Sequence, residues 1–218
     1  MLVIDKDCYG TIAIAWLICL VLMFIDLYFV KYKAVSFPIA AFLLVFMFFV
    51  MWFHRLPERE KVGTDTIVTA VADGEIVIVD KTYEPEFLKK ECIQVSIYMD
   101  FFDVHANYWP LDGEVKYYKY HDGRYLMAFY PKSSELNEHS SLAVGNEHGD
   151  VFFKQIAGTF ARRIVTHANV GEQCKAGEQL GIIKFGSRID MFLPLDADIK
   201  VKVGDRTVAC ETVIGELR

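Results

Sequence analysis

Ser187 sits in a place that invites chemistry. The segment Gly181–Pro194 reads GIIKFGSRIDMFLP, and its flanks are apolar and strand-like. A Gly186-Ser187 pair inside such a run is out of place by propensity. Glycine lets another backbone or side chain come close, and serine brings a hydroxyl nucleophile; taken alone, the dipeptide is a bend. His105 carries an imidazole that titrates near neutral pH, though on residue type alone it is equally a satisfied core or turn histidine. Asp103 lies two residues earlier, on the same face of an extended strand, where it can orient the ring. Asp73 precedes Gly74 between apolar runs, a position suited to turn chemistry. Arg162 and Arg163 offer guanidinium groups for a phosphate or for surface ion pairs. Asn137-Glu138-His139 and Asn146-Glu147-His148 repeat ligand-type residues. Both lie in loop-like polar surroundings, so no metal is expected.

The elements that must position these residues are mostly strands. From Thr64 onward, short apolar runs are broken by turn dipeptides. Thr66–Val71 and Glu75–Val79 flank Asp73-Gly74, which predicts a hairpin. Glu91–Met99, Glu114–Tyr120 and Tyr125–Tyr130 are further strands, and only Gln155–Thr166 reads as a short helix. A repeat runs through the C-terminal part. Val170-Gly171-Glu172 and Ala176-Gly177-Glu178 return 33 residues later as Val203-Gly204-Asp205 and Ala209-Cys210-Glu211. Paired half-motifs of this kind are the pattern of a barrel-sandwich domain of lipoyl type. Cys174 and Cys210 fall in the repeats and read as small core residues.

The N-terminal quarter has a different composition. Thr11–Val30 is apolar apart from Asp26, and Ala34–Phe53 carries no charge. At about 1.5 Å per residue, each can cross a hydrocarbon core about 30 Å thick. Only Lys31, Tyr32 and Lys33 separate them, so the expected form is a membrane hairpin, with helices over about 11–30 and 34–53. Asp26 is expected to snorkel or to pair with Lys31 or Lys33. The basic residues on the side shared by both termini, Lys6, Arg55, Arg59 and Lys61, outnumber Lys31 and Lys33 in the loop, which leans toward a cell-membrane protein whose soluble part faces the cytoplasm. That part, residues 57–218, holds 19 basic and 26 acidic residues, a net charge of −7. Such a balance argues against nucleic acid as a partner, because a backbone binder needs a basic footprint. Five cysteines without a CxxC pair make neither a disulfide framework nor a zinc knuckle.

Across the whole soluble part, the chain resembles phosphatidylserine decarboxylases, in particular the short membrane-anchored branch that includes archaetidylserine decarboxylases. The matching residues are Ala72-Asp73-Gly74, Asp103-Val104-His105-Ala106-Asn107, Gln155-Ile156-Ala157-Gly158, Ala161-Arg162-Arg163-Ile164-Val165 and Ile183 to Asp190, closed by Val203-Gly204-Asp205 and Gly215-Glu216-Leu217. Two hydrophobic N-terminal segments are usual in that branch. The resemblance implies a pyruvoyl enzyme made by self-cleavage between Gly186 and Ser187, giving a β chain, 1–186, and an α chain, 187–218. It implies Ser187 as the precursor of the pyruvoyl group, which forms a Schiff base with substrate. It further implies His105 as general base and acid, and Asp73 as the residue that orients it. Its substrate would be phosphatidylserine or a related serine phospholipid, yielding phosphatidylethanolamine and CO2. Arg162, Arg163 and Tyr108 are the substrate-binding candidates. Longer relatives carry a second histidine where this chain has Tyr108.

The expected architecture is therefore mainly β. A barrel-sandwich decarboxylase domain, residues 57–218, follows a membrane anchor, residues 1–56. Its partners are the bilayer, the lipid and the two cleaved chains, with a homodimer left open. A different class remains as the alternative: a non-enzymatic, membrane-anchored lipoyl-like adaptor of a transport system. Such adaptors insert a long heptad-patterned hairpin between the half-motifs, and Ile182–Val201 is too short and not heptad-like.

Overall fold

The structure is a computed structural model, described here for residues 3–126, 136–159, 163–183 and 187–218. The chain divides into two compact units, Met1–Pro57 and Glu58–Arg218. In the first, β1 (Val3–Ile4) pairs antiparallel with β2 (Arg55–Leu56) around two helices, α1 (Tyr9–Phe29) and α2 (Lys33–Phe53). Both helices are long and apolar enough to cross a membrane. Their outward faces leave Phe24, Phe29, Phe37 and Phe42 each about two-thirds exposed, a surface that water would not favour. Asp26 does not pair with Lys31 or Lys33. It is buried and accepts a hydrogen bond from Ser36 Oγ at 2.6 Å, because an apolar helix pair satisfies an acid most readily with a neighbouring hydroxyl.

The second unit is built from β3 (Ile67–Thr69), β4 (Gly74–Glu84), β5 (Lys90–Met99), β6 (Ala106–Tyr108), β7 (Gly113–His121), β8 (His139–Asn146) and β9 (Gly149–Ala157). After these come β10 (Ile164–Thr166), β11 (Gln173–Cys174), β12 (Gln179–Ile183), β13 (Ser187–Leu193), β14 (Asp198–Ile199), β15 (Arg206–Thr207) and β16 (Val213–Glu216). One sheet runs β11-β7-β8-β9-β13-β5-β4-β15, and two small sheets run β10-β12-β6 and β14-β16-β3. Ile76 on β4 and Val115 on β7 lie far apart in the strand order yet belong to one core with Ile97, Phe153, Met191 and Ile214. The large sheet must therefore curl. A bulge in β4 (Ile76/Ile78) and another in β7 (Val115/Tyr117) supply local bending.

The repeat is carried into the backbone. Gly171 and Gly204 both have φ +91°, and their N–H groups donate to Val115 O and Ile76 O, each at 2.8 Å. Gly177 and Cys210 both lie in the left-handed region, at φ +75° and +68°, donating to Trp109 O and Ala70 O. Asp112 Oδ1 accepts from Ala176 N at 2.7 Å, and Asp73 Oδ1 accepts from Ala209 N at 2.9 Å. Two half-motifs thus use the same turn and the same aspartate cap.

Two local expectations need correction. Asp73-Gly74 does not close a hairpin between its neighbours: β3 pairs with β16, and β4 pairs with β5 and β15. The Asp-Gly signal marks the start of a strand, its side chain being spent on a distant backbone amide. Gln155–Thr166 is not helical where it is described. Gln155–Ala157 ends β9, and Ile164–Thr166 forms β10. Pairing with Ile189 and Ser187 overrides the local helical preference. The expected strand Tyr125–Tyr130 falls largely outside the described residues.

Candidate active site

Ser187 opens β13, the strand paired on both sides within the large sheet. Its Cα partners are Met99 on β5 and Ala157 on β9. Directly paired residues share a face, so Ser187 points with Ile189 and Met191 into the core and is fully buried. The hydroxyl donates to Met99 Sδ at 3.1 Å, a weak acceptor that leaves the nucleophile loosely held. Arg188 leaves the opposite face. There it bonds Asp190 Oδ1 (2.6 Å) and Ser96 Oγ (3.0 Å) beside a cavity of about 250 Å³. The most buried arginine among the described residues is therefore turned away from the serine.

Two short links tether His105 near Ser187. Five residues carry the chain from Met99, the cross-strand neighbour of Ser187, to His105. His105 O accepts from Ile183 N, four residues before Ser187. The ring is fully buried, with Nδ1 3.0 Å from Asp103 O. A carbonyl only accepts, so Nδ1 carries the proton and a neutral ring presents Nε2 as the base. The connecting loop is held by its own carboxylates. Asp103 Oδ2 accepts from Asp100 N (2.9 Å), Asp100 Oδ1 accepts from Phe102 N (2.7 Å), and Arg206 of β15 donates to Asp103 Oδ1. Burial pushes the Asp103 carboxyl above its ordinary range, against the pull of that hydrogen-bonded loop and of Arg206.

Asp73, expected to orient His105, spends both oxygens elsewhere. Oδ2 pairs with Arg59 at 2.5 Å and Oδ1 caps Ala209 N. Asp112 performs the same capping in the other half-motif, so the fold alone accounts for this half of Asp73's bonding. The main-chain carbonyl of Asp103 lies 3.0 Å from the imidazole Nδ1. Tyr108 lies on β6 opposite Gln179 and is buried. Arg163 is exposed, while Arg162 and Gly186 lie outside the described residues.

Sequence reading missed two contributors. Arg206 clamps the His105 loop from 100 residues away, and nothing local signals it. Asn107 shares the side of the chain that His105 uses, and its Oδ1 accepts from Gln155 Nε2 at 2.7 Å. The aspartate–histidine–asparagine spacing was the available hint.

One half of the Asn-Glu-His repeat joins a polar cluster. Among the described residues, Glu86, His121 and His139 bring ligating atoms within 4.8 Å of one another. The two rings are stacked, 4.4 Å apart at 13°, and parallel rings cannot both aim in-plane lone pairs at one ion. Glu86 is already bonded to His121 Nε2 (2.6 Å) and Ser141 Oγ (2.9 Å), with Lys154 Nζ at 3.3 Å. Glu86 is thus already committed to hydrogen bonds and an ion pair within the cluster.

Comparison with known proteins decides the class. The family described as phosphatidylserine decarboxylase matches residues 46–215. The chain belongs to the phosphatidylserine decarboxylase family. A phosphatidylserine decarboxylase proenzyme from Parabacteroides distasonis is 43% identical over 177 residues, covering 81% of this chain and 79% of that protein. One from Porphyromonas gingivalis is 41% identical over 204 residues, covering 92% and 90%. A third, from Prosthecochloris aestuarii, is 40% identical over 183 residues and covers 84% of each chain. As a member of this family the protein is a decarboxylase, and the adaptor alternative falls. The segment between the half-motifs agrees, because it contains β13 at the heart of the sheet instead of a projecting helical hairpin.

Proposed function

We propose that this protein converts Ser187 into a pyruvoyl group by self-cleavage and uses it to decarboxylate phosphatidylserine to phosphatidylethanolamine at a membrane surface. The observation that carries the reading is a fully buried serine at the start of a doubly paired strand, tethered near a buried histidine whose Nδ1 lies against a main-chain carbonyl. The proenzyme names of the relatives agree with it.

In this reading Ser187 Oγ attacks the carbonyl carbon of Gly186 while His105 Nε2 takes its proton. The C–N bond breaks, the amine is protonated, and an ester joins the two segments. Removal of the Ser187 α-proton expels the Gly186 carboxylate, ending chain 1–186. The dehydroalanine left on chain 187–218 tautomerises and takes up water, releasing ammonia and leaving the pyruvoyl terminus. The orienting role expected of Asp73 passes to the Asp103 carbonyl.

Position 187 suits the group that would form there. Strand pairing fixes it on both sides, and Met99, Ala157 and Ile183 are themselves buried, so bulk water is kept out. A pyruvoyl ketone supplies an electrophile for the substrate amine and a sink for the electron pair freed when CO2 leaves. His105 then returns a proton to the substrate carbon. Arg163, exposed beside β10, together with Arg162, is the candidate for the lipid phosphate, and Tyr108 lines the approach. The apolar outward faces of α1 and α2 support an anchor of residues 1–56 in the bilayer, with the catalytic part, residues 57–218, on the cytoplasmic face. The duplicated turns and aspartate caps support a barrel-sandwich arrangement of the two half-motifs.

An intact-mass spectrum of the purified full-length protein tests the reading. The expected result is chain 1–186 together with a pyruvoyl-blocked chain 187–218. Ser187→Ala is expected to remain a single chain and to release no CO2 from phosphatidylserine. A cleaved, active Ser187→Ala protein would refute the assignment.

A further inference from the structure

A one-way chain of hydrogen bonds runs through the core and ends on an unused donor. Ser140 Oγ and Thr166 Oγ1 are 3.3 Å apart, and Thr166 Oγ1 donates to Gln155 Oε1 at 2.7 Å. That bond sets the Gln155 amide, whose Nε2 then donates to Asn107 Oδ1 at 2.7 Å. With Oδ1 taken, the Asn107 amide is fixed, and Nδ2 is turned away from the chain that fixes it. Asn107 is fully buried, and Nδ2 has no hydrogen-bond partner among the described residues. An NH2 group buried with neither proton used is disfavoured, and a small apolar side chain would avoid the penalty.

Its location gives that donor a use. Asn107 follows His105 by two residues, so the two side chains leave the same side of the backbone. Gln155 is the cross-strand partner of Ile189, and Ala157, two residues on, is the partner of Ser187. Strand geometry therefore places the Gln155 and Ser187 Cα atoms about 8 Å apart, on one face of the sheet. The Gln155–Asn107 amide pair projects from that face.

We infer that Asn107 Nδ2 is the hydrogen-bond donor for the oxyanion formed when Ser187 Oγ adds to the carbonyl before it; this rests on the self-cleavage reading above. As the Oγ–C bond forms, the carbonyl π pair moves onto oxygen and the hydroxyl proton moves to His105 Nε2. The negative oxygen meets Nδ2–H, which lacks an acceptor among the described residues, so the bond favours the transition state over the ground state. The pair then returns, the C–N bond breaks, and the proton on Nε2 goes to the leaving nitrogen. Asn107 is unchanged throughout.

The test follows the cutting of newly made full-length protein with time, by gel and intact mass, for wild type, Asn107→Asp and Thr166→Val. Asn107→Asp keeps the shape and the acceptor for Gln155 while removing the donor. Its cutting is expected to slow by about 10²–10³-fold at an unchanged melting temperature. Thr166→Val removes the bond that sets the Gln155 amide but leaves Nδ2 in place, and is expected to slow cutting by about tenfold or less, well short of Asn107→Asp. Hydroxylamine, which cleaves esters, is expected not to speed Asn107→Asp, because the slow step precedes the ester. Cutting of Asn107→Asp at the wild-type rate, or its full rescue by hydroxylamine, overturns the inference while self-cleavage stands. Wild type that is never cut in the same assay overturns self-cleavage itself. Should Asn107→Asp show no melting transition, Asn107→Ala with the same readouts decides between these outcomes.

Discussion

Arg206→Ala tests whether the His105 loop is held from outside. Arg206 donates to Asp103 Oδ1 and lies 3.8 Å from Asp100, so its removal leaves the Asp103 carboxylate without its cationic partner. Stranding one charge of a fully buried pair costs about 3–5 kcal/mol. Here Asp103 is 7% exposed but Arg206 is 54% exposed, so solvent screens much of the interaction. A discounted value of about 1–2 kcal/mol is appropriate. The Asp103 carbonyl aims the imidazole, so this energy loosens the base and is expected to slow maturation. At about 1.4 kcal/mol per decade, cutting falls roughly 5- to 30-fold. Burial already raises the Asp103 carboxyl and Arg206 opposes that rise. Without Arg206 the carboxyl therefore moves further up, and the loop regains stability as pH falls through that value. The assay is time-resolved conversion to two chains at pH 7.5, with Arg206→Lys as the charge-retaining control. Wild-type conversion by Arg206→Ala would show that the loop holds His105 unaided.

Asp73→Asn keeps the carbonyl oxygen that caps Ala209 and gives up the ion pair with Arg59. Cutting within about threefold of wild type is expected, with a small loss of melting temperature; a stable but uncut Asp73→Asn would restore the carboxylate to the catalytic set. Acid stability should decline in two stages, followed by the melting temperature of full-length protein in detergent. Burial holds His139 below the ordinary histidine range, so its neutral form is favoured and stability is lost as pH falls below about 6.5. Burial would raise Glu86, but hydrogen bonds from His121 and Ser141 and the charge of Lys154 outweigh it and bring it down to about 2. Its contribution is complete above about 4.5 and is lost as pH falls toward 2. Glu86→Gln is expected to flatten that lower stage, and an unchanged acid limb would count against the cluster.

Much of this was legible where local chemistry and pairing agree. The two apolar helices follow from uninterrupted hydrophobic runs, and the repeat follows from recurring glycine and acid, which the backbone confirms at Gly171 and Gly204. Position 210 shows why glycine counting alone falls short, since a cysteine adopts the left-handed turn that Gly177 makes in the other half. The helix expected over Gln155–Thr166 failed because a strand between two partners answers to its neighbours before its own propensity. Ser187 and His105 stand out in the sequence through the motifs that carry the family resemblance. A carboxylate beside glycine looks alike in the sequence whether it caps a distant amide, as Asp73 caps Ala209, or steers a ring. Arg206 and the donor end of Asn107 depend on long-range contacts that a linear pattern does not encode.

If the chain is cut between Gly186 and Ser187 as proposed, the place of β13 between β5 and β9 sets the order of events in the life of this protein. Before scission the strand is delivered to its slot by its own chain, and folding is unimolecular. Afterwards chain 187–218 still contributes β13, β15 and β16, each paired with a strand of the longer chain, so the cut product stays together as one body. Recovery from unfolding then becomes a second-order encounter between two fragments. The covalent record of how to assemble has been erased. Maturation as proposed would thus turn a precursor that folds as one chain into an enzyme whose persistence is governed by an unfolding rate, with loss of the native state a one-way event.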